Sequence, residues 1–174
     1  MNTKRLTTLA MLIAVYSVLS VITPIKLANF KFTFEAFPVL LAGMVFGPID
    51  GMIVGGVGSF IYQVIYSGYG INATTILWIL PHAVSGLIVG AYAKHQNFAL
   101  TRKQIIFISI ISAFCVTALN CLALLVDSLI YDYYSPAIVF GNIIIKIITG
   151  VILAVIYSSI LPDIINFAKR RVNQ

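Results

Sequence analysis

The chain has 174 residues, 60% of them hydrophobic and only 9% charged, with a formal net charge of +6. A mean hydropathy of +1.03 excludes a soluble globular protein and implies one integral membrane domain spanning residues 1–174. The basic excess does not point to nucleic acid, because most lysines and arginines flank apolar stretches, as membrane orientation signals do.

A membrane-crossing helix takes about 20 apolar residues. The first predicted helix covers about residues 5–24. Its Lys4-Arg5 start resembles a signal peptide, but the apolar run continues to Ile22 without a small-x-small cleavage signature. It therefore reads as a retained span, ended by Pro24. In the loop that follows, Phe30-Lys31-Phe32-Thr33-Phe34-Glu35-Ala36-Phe37 alternates aromatic and polar residues, which predicts an extended segment. Such a segment can cover a pocket as a lid, with Phe34 or Glu35 facing the ligand. The alternative is a plain helix-linking loop with its phenylalanines turned to the membrane. A second, short helix is predicted from Ala36 to Gly47-Pro48 and a third near 49–66. The fourth, fifth and sixth fall near 74–93, 104–130 and 137–167. The predicted fold class is an all-α membrane protein with six transmembrane helices.

Charge placement sets the orientation. Lys4, Arg5, Lys94, Arg102, Lys103, Lys169, Arg170 and Arg171 fall on one side, Lys26 and Lys31 on the other. By the positive-inside rule both termini are expected in the cytoplasm of a multi-pass plasma-membrane protein.

The eleventh basic residue, Lys146, lies inside the sixth span. A charge deep in hydrocarbon costs at least ~2.5–3.5 kcal/mol, so Lys146 is expected to face a polar cavity or a partner. Counted from the outer end of its helix it lies about 14 Å deep, at about 1.5 Å per residue. Asn142 is four residues before it, and in the fourth span Trp78 and His82 share the same spacing. Residues four apart occupy one helix face. Two helices thus bring polar pairs to similar depths, which points to an outward-facing pocket with an aromatic wall and a cation. Such a pocket suits a planar heterocycle that carries a carboxylate. Gln63 and Asn72 are further candidates. The competing readings are a structural strut between Lys146 and Asp127, interface anchoring by Trp78, and helix gluing by Asn142. Pro81 removes a backbone donor within the fourth span and is expected to kink it.

Cys115 and Cys121 are six residues apart, off the spacing that stacks side chains on one helix face, so neither a disulfide nor a metal site is expected. There is no G-x-x-x-x-G-K-[ST], H-E-x-x-H or G-x-S-x-G sequence, and no cofactor is expected. A membrane enzyme with His82 as base and Lys146 as electrostatic stabiliser lacks a nucleophile or metal set to complete it. With no inverted repeat either, the pocket lacks an energy source of its own.

The ordered set of motifs resembles the substrate-binding S components of energy-coupling factor (ECF) vitamin transporters, over essentially the whole chain. Ala10-x-x-x-Ala14 is similar to that family's helix 1 motif. Residues 34–43, then Phe46-Gly47-Pro48 and Gly51, look like its first loop and second helix. Gly55-Gly56-Val57-Gly58-Ser59 and Gly86-Leu87-Ile88-Val89-Gly90 are similar to its packing glycines. Thr74 to Leu87, with Trp78, Pro81 and His82, looks most like the folate-type branch. The resemblance implies folate as ligand, docking through Ala10 and Ala14 on a transmembrane T component, and a pair of cytoplasmic ATPases. Ser85 stands where some relatives have an arginine, which leaves the binding of the tail carboxylates open and keeps pantothenate as the alternative.

Overall fold

The computed structural model describes residues 3–22, 25–27, 30–32, 34–68, 70–141 and 143–172. The order is α1 (Thr3–Ile22), β1 (Ile25–Leu27), β2 (Phe30–Phe32), α2 (Ala36–Phe46), α3 (Pro48–Ile61), α4 (Thr75–His95), α5 (Arg102–Ile130), α6 (Pro136–Phe140) and α7 (Ile143–Val172). Among the described residues, five helices are long and apolar enough to cross a membrane, and α2 is a shorter apolar helix. The six-helix architecture read from hydropathy is therefore present, with α6 and α7 together occupying the sixth predicted span.

The predicted extended segment is extended only as far as Phe32. There β2 pairs antiparallel with β1, Ile25 opposite Phe32 and Leu27 opposite Phe30. Phe34 and Glu35 form the bend and turn that lead into α2. At the other end of α2 the chain reverses within one residue. Gly47 has φ +103, a region that favours glycine, and Pro48 supplies a preset first turn for α3.

The central contact is α3 against α4. A Cβ at Gly51 would lie 2.5 Å from the Gly86 carbonyl oxygen, and one at Gly55 would overlap the carbonyl of His82. From the opposite side, a Cβ at Gly86 would overlap the Gly51 carbonyl, and one at Gly90 the backbone of Pro48. The helices thus meet main chain to main chain, as small residues permit within membranes. Pro81 stands inside α4, which runs on to His95.

α1 is clamped on α2 and α3. Arg5 donates from Nε to Asp50 at 2.6 Å and from a terminal nitrogen to the Phe46 carbonyl at 3.2 Å, and Asp50 is buried. Leu9 and Tyr16 of α1 pack with Val39, Ala42 and Val54. α5 opens on a capping box between Thr101 and Gln104 and runs antiparallel to α7, where a Cβ at Gly150 would meet that of Ala113 at 3.0 Å.

This seam gives a testable asymmetry. Gly86→Ala forces main chain apart, and overpacking of this kind costs about 1–3 kcal/mol. A Cβ at Gly56 meets only that of Ala83, at 3.5 Å. Thermal denaturation in mild detergent is expected to show a lowered Tm for Gly86→Ala and a nearly unchanged one for Gly56→Ala.

Candidate functional site

The bundle encloses a cavity of about 350 Å³ lined by residues of α1, α2, α3, α4, α5 and α7 and by the turn after α3. A volume of this order suits a small-molecule site, where few polar groups fix orientation against a mainly apolar wall. Lys146, Trp78, His82, Glu35 and Gln63 all line it. The pairing of aromatic wall and cation expected from their spacing is thus realised in one space.

Each of these side chains has a local cause. Trp78 and His82 are one turn apart on α4 and project to the same side. His82 is held at its backbone by Gly55 and at its ring by Tyr16, whose centroid lies 5.4 Å away edge-on. Its Nε2 lies 3.4 Å from Glu35 Oε1, with both side chains largely buried. Glu35 reaches the cavity because α2 starts directly after it. Gln63 sits in the wide π-helical turn Tyr62–Tyr66 that ends α3, and such turns often re-aim a side chain at a functional site. Lys146 is half-buried in α7, and its ammonium makes no ion pair or hydrogen bond with a described residue.

The strut between Lys146 and Asp127 is not formed. Asp127 instead receives hydrogen bonds from the hydroxyls of Thr74 and Tyr133, one on each carboxylate oxygen. Asn72 belongs to the turn that leads into α4 and does not line the cavity. Its Oδ1 accepts from the Thr74 backbone at 3.1 Å and from the Thr75 hydroxyl at 2.9 Å, which consumes the group in shaping the start of α4. Phe34 also stands outside the lining. Its ring packs against Tyr157 at a centroid distance of 6.3 Å and against the core formed by Leu40, Met44 and Leu161. Asn142 lies outside the described residues.

Several lining residues escaped the sequence reading. Ser109, Ser112, Thr117 and Asn120 of α5 all face the cavity, as do Tyr16 and Tyr157. The α5 set recurs at three- and five-residue intervals within the otherwise apolar stretch 105–126, and that stripe is the available signal. Ser112 is satisfied by Ser85, with their hydroxyl oxygens 2.6 Å apart. Three lining atoms are buried and lack a hydrogen-bond partner among the described residues: His82 Nδ1, Ser109 Oγ and the Tyr157 hydroxyl. Buried polar atoms are ordinarily paired, so these three are open to a hydrogen bond from whatever fills the cavity. Among the described residues no cluster of metal-ligating side chains occurs.

The model of the ECF transporter substrate-specific component family matches residues 4–168. The chain belongs to that family. It is thus a multi-pass membrane protein and a transporter component, not an enzyme. A UPF0397 protein of Streptococcus pneumoniae is 28% identical over 150 residues, covering 84% of this chain and 79% of the relative. The fold is similar to a crystal structure of FolT bound with folic acid, at a TM-score of 0.69 and 22% identity over 91% of each chain. It is similar, too, to the S component of a bacterial ECF transporter, at a TM-score of 0.67 and 26% identity, covering 95% of this chain and 98% of the other.

The placement of Asn72 separates two roles. Asn72→Ala is expected to destabilise the turn by about 1 kcal/mol, the ordinary net worth of a hydrogen bond. Its Tm is expected to fall while the affinity of the purified protein for its ligand stays unchanged.

Proposed function

We propose that this S component captures folate from the outer side of the plasma membrane and delivers it with a T component and a pair of cytoplasmic ATPases. The observation that carries the reading is the cavity itself: Trp78 offers a flat wall and Lys146 a cation with no carboxylate of its own. A ligand filling this space is expected to bear a flat ring system and an anionic group. Folate has both, a donor-rich pterin and a glutamate tail. The likeness in fold to FolT, which holds folic acid, and the Trp78 to His82 segment support folate within the vitamins. In this reading Trp78 stacks on the ligand, Lys146 meets a carboxylate, and His82, Glu35 and Gln63 supply hydrogen bonds.

The partner reading rests on α1. Ala10 and Ala14 are exposed on the side of α1 away from buried Leu9 and Tyr16. They take no part in packing within the chain and leave a smooth surface on which another helix can approach closely. The Arg5–Asp50 clamp holds that surface in place. Capture from outside follows from the placement of the basic residues, which puts both termini in the cytoplasm.

Mass spectrometry of small molecules released from protein purified in mild detergent tests the ligand. Stoichiometric folate is the expected result. Stoichiometric pantothenate would replace the ligand and leave the architecture in place. An empty protein whose Tm ignores added folate would overturn the reading.

Two variants test the residues. A hydrogen bond to a charged group is worth about 1.5–3 kcal/mol, so Lys146→Ala is expected to weaken folate binding about 10- to 150-fold in a protein that remains folded. Unchanged affinity removes Lys146 from the site. Ala14→Leu is expected to leave folate affinity unchanged and to reduce both co-purification with the T component and folate uptake by cells.

A further inference from the structure

We infer that the Tyr157 and Ser109 hydroxyls form the subsite that reads the heterocyclic head of the ligand, at the end of the cavity remote from Lys146. The inference rests on the folate reading and adds to it the direction in which the ligand lies.

Both side chains line the cavity, Tyr157 with 4% and Ser109 with 2% of its surface exposed. Neither hydroxyl has a hydrogen-bond partner among the described residues. Other buried hydroxyls nearby are satisfied: Ser59 donates to the Gly55 carbonyl, and Ser85 and Ser112 pair with each other. Leaving a buried hydroxyl unpaired is costly, so two of them facing one space call for a ligand that supplies what the protein does not.

Their position follows from the α5–α7 register. Gly150 meets Ala113, and the helices run antiparallel. Counting from that contact, Ser109 lies opposite Ala154, within one helical turn of Tyr157. Lys146 precedes Tyr157 by eleven residues, about 16 Å along the axis at about 1.5 Å per residue. The cation and the paired hydroxyls therefore stand at opposite ends of the cavity. A ligand that engages both is elongated, anionic at one end and neutral at the other. A hydroxyl both donates and accepts, which suits the mixed edge of ring nitrogens, carbonyl and amino group of a pterin. The direction of the Tyr157 hydroxyl is set by its ring, which Phe34 and Phe37 hold at centroid distances of 6.3 and 5.7 Å. The loop before α2 thus positions the residue that meets the ligand head.

The test is calorimetric titration of the full chain in mild detergent with folic acid, followed by competition with 6-methylpterin and with p-aminobenzoyl-glutamate. Tyr157→Phe keeps the packed ring and removes only the hydroxyl, and Ser109→Ala does the same at its position. Each is expected to weaken folic acid and 6-methylpterin about five- to tenfold and to leave p-aminobenzoyl-glutamate unchanged. Lys146→Ala is expected to show the reverse, losing the tail fragment and keeping the pterin. A purely structural hydroxyl would lower the Tm of the empty protein when removed. An orphaned one does not, so the ligand-free Tm of Tyr157→Phe is expected to be unchanged or raised. Folic acid affinity within twofold of wild type in both hydroxyl variants overturns the subsite, as does a loss confined to the tail fragment or a pterin that fails to compete. A wild-type protein that does not bind folic acid at all overturns the folate reading, and this inference with it.

Discussion

Gly51 and Gly55 of α3 lie directly against the Gly86 and His82 carbonyls of α4, and a methyl group at any of these glycines would overlap main chain. This contact sets the distance and rotation of the two helices together. His82 is part of it through its own backbone, so the seam fixes the point from which its imidazole projects. Trp78, one turn away, inherits the same rotation. The tryptophan and histidine face the cavity because residues that carry no chemistry hold α4 in place. Side-chain packing alone would leave more freedom, since lipid tails compete for apolar surfaces about as well as another helix does.

A second order appears when the buried polar groups are sorted by whether they are satisfied. Asp50 has Arg5, which also reaches the Phe46 carbonyl and lies 6.0 Å from the centre of the Phe46 ring. Asp127 has Thr74 and Tyr133, and Ser85 has Ser112. Ser20 and Ser158 donate to carbonyls of their own helices. These groups stiffen the bundle. The groups left over, namely the Lys146 ammonium, His82 Nδ1 and the hydroxyls of Ser109 and Tyr157, all border the one cavity. Among the described residues, the groups that stiffen the bundle and the groups that border the cavity are thus two separate sets.

The spans and the shared face of Trp78 and His82 are legible in the sequence, because both depend on local patterns. Hydropathy finds a helix that must cross lipid, and four-residue spacing puts Trp78 with His82 on one face whatever the tertiary structure. Lys146 stands out because no other charge interrupts residues 138–157. What the sequence could not carry was pairing at a distance. Charge alone allows a strut between Asp127 and Lys146, and only the fold shows that Thr74 and Tyr133 take the carboxylate. Asn72 is a candidate by residue type and place alone, whereas its amide oxygen is spent on Thr74 and Thr75. Tyr157 was passed over because a tyrosine in an apolar helix reads as core or interface. Its hydroxyl becomes informative only once it is seen to be buried without a partner.

α1 joins the two surfaces on which the proposed transport depends. One side carries Tyr16, whose ring lines the cavity and meets His82 edge-on. That ring is seated over Gly58, where a Cβ would collide with it. The other side carries Ala10 and Ala14, the face proposed for the T component. Only the thickness of one helix separates ligand from partner, and the helix is held at its start by Arg5 on Asp50.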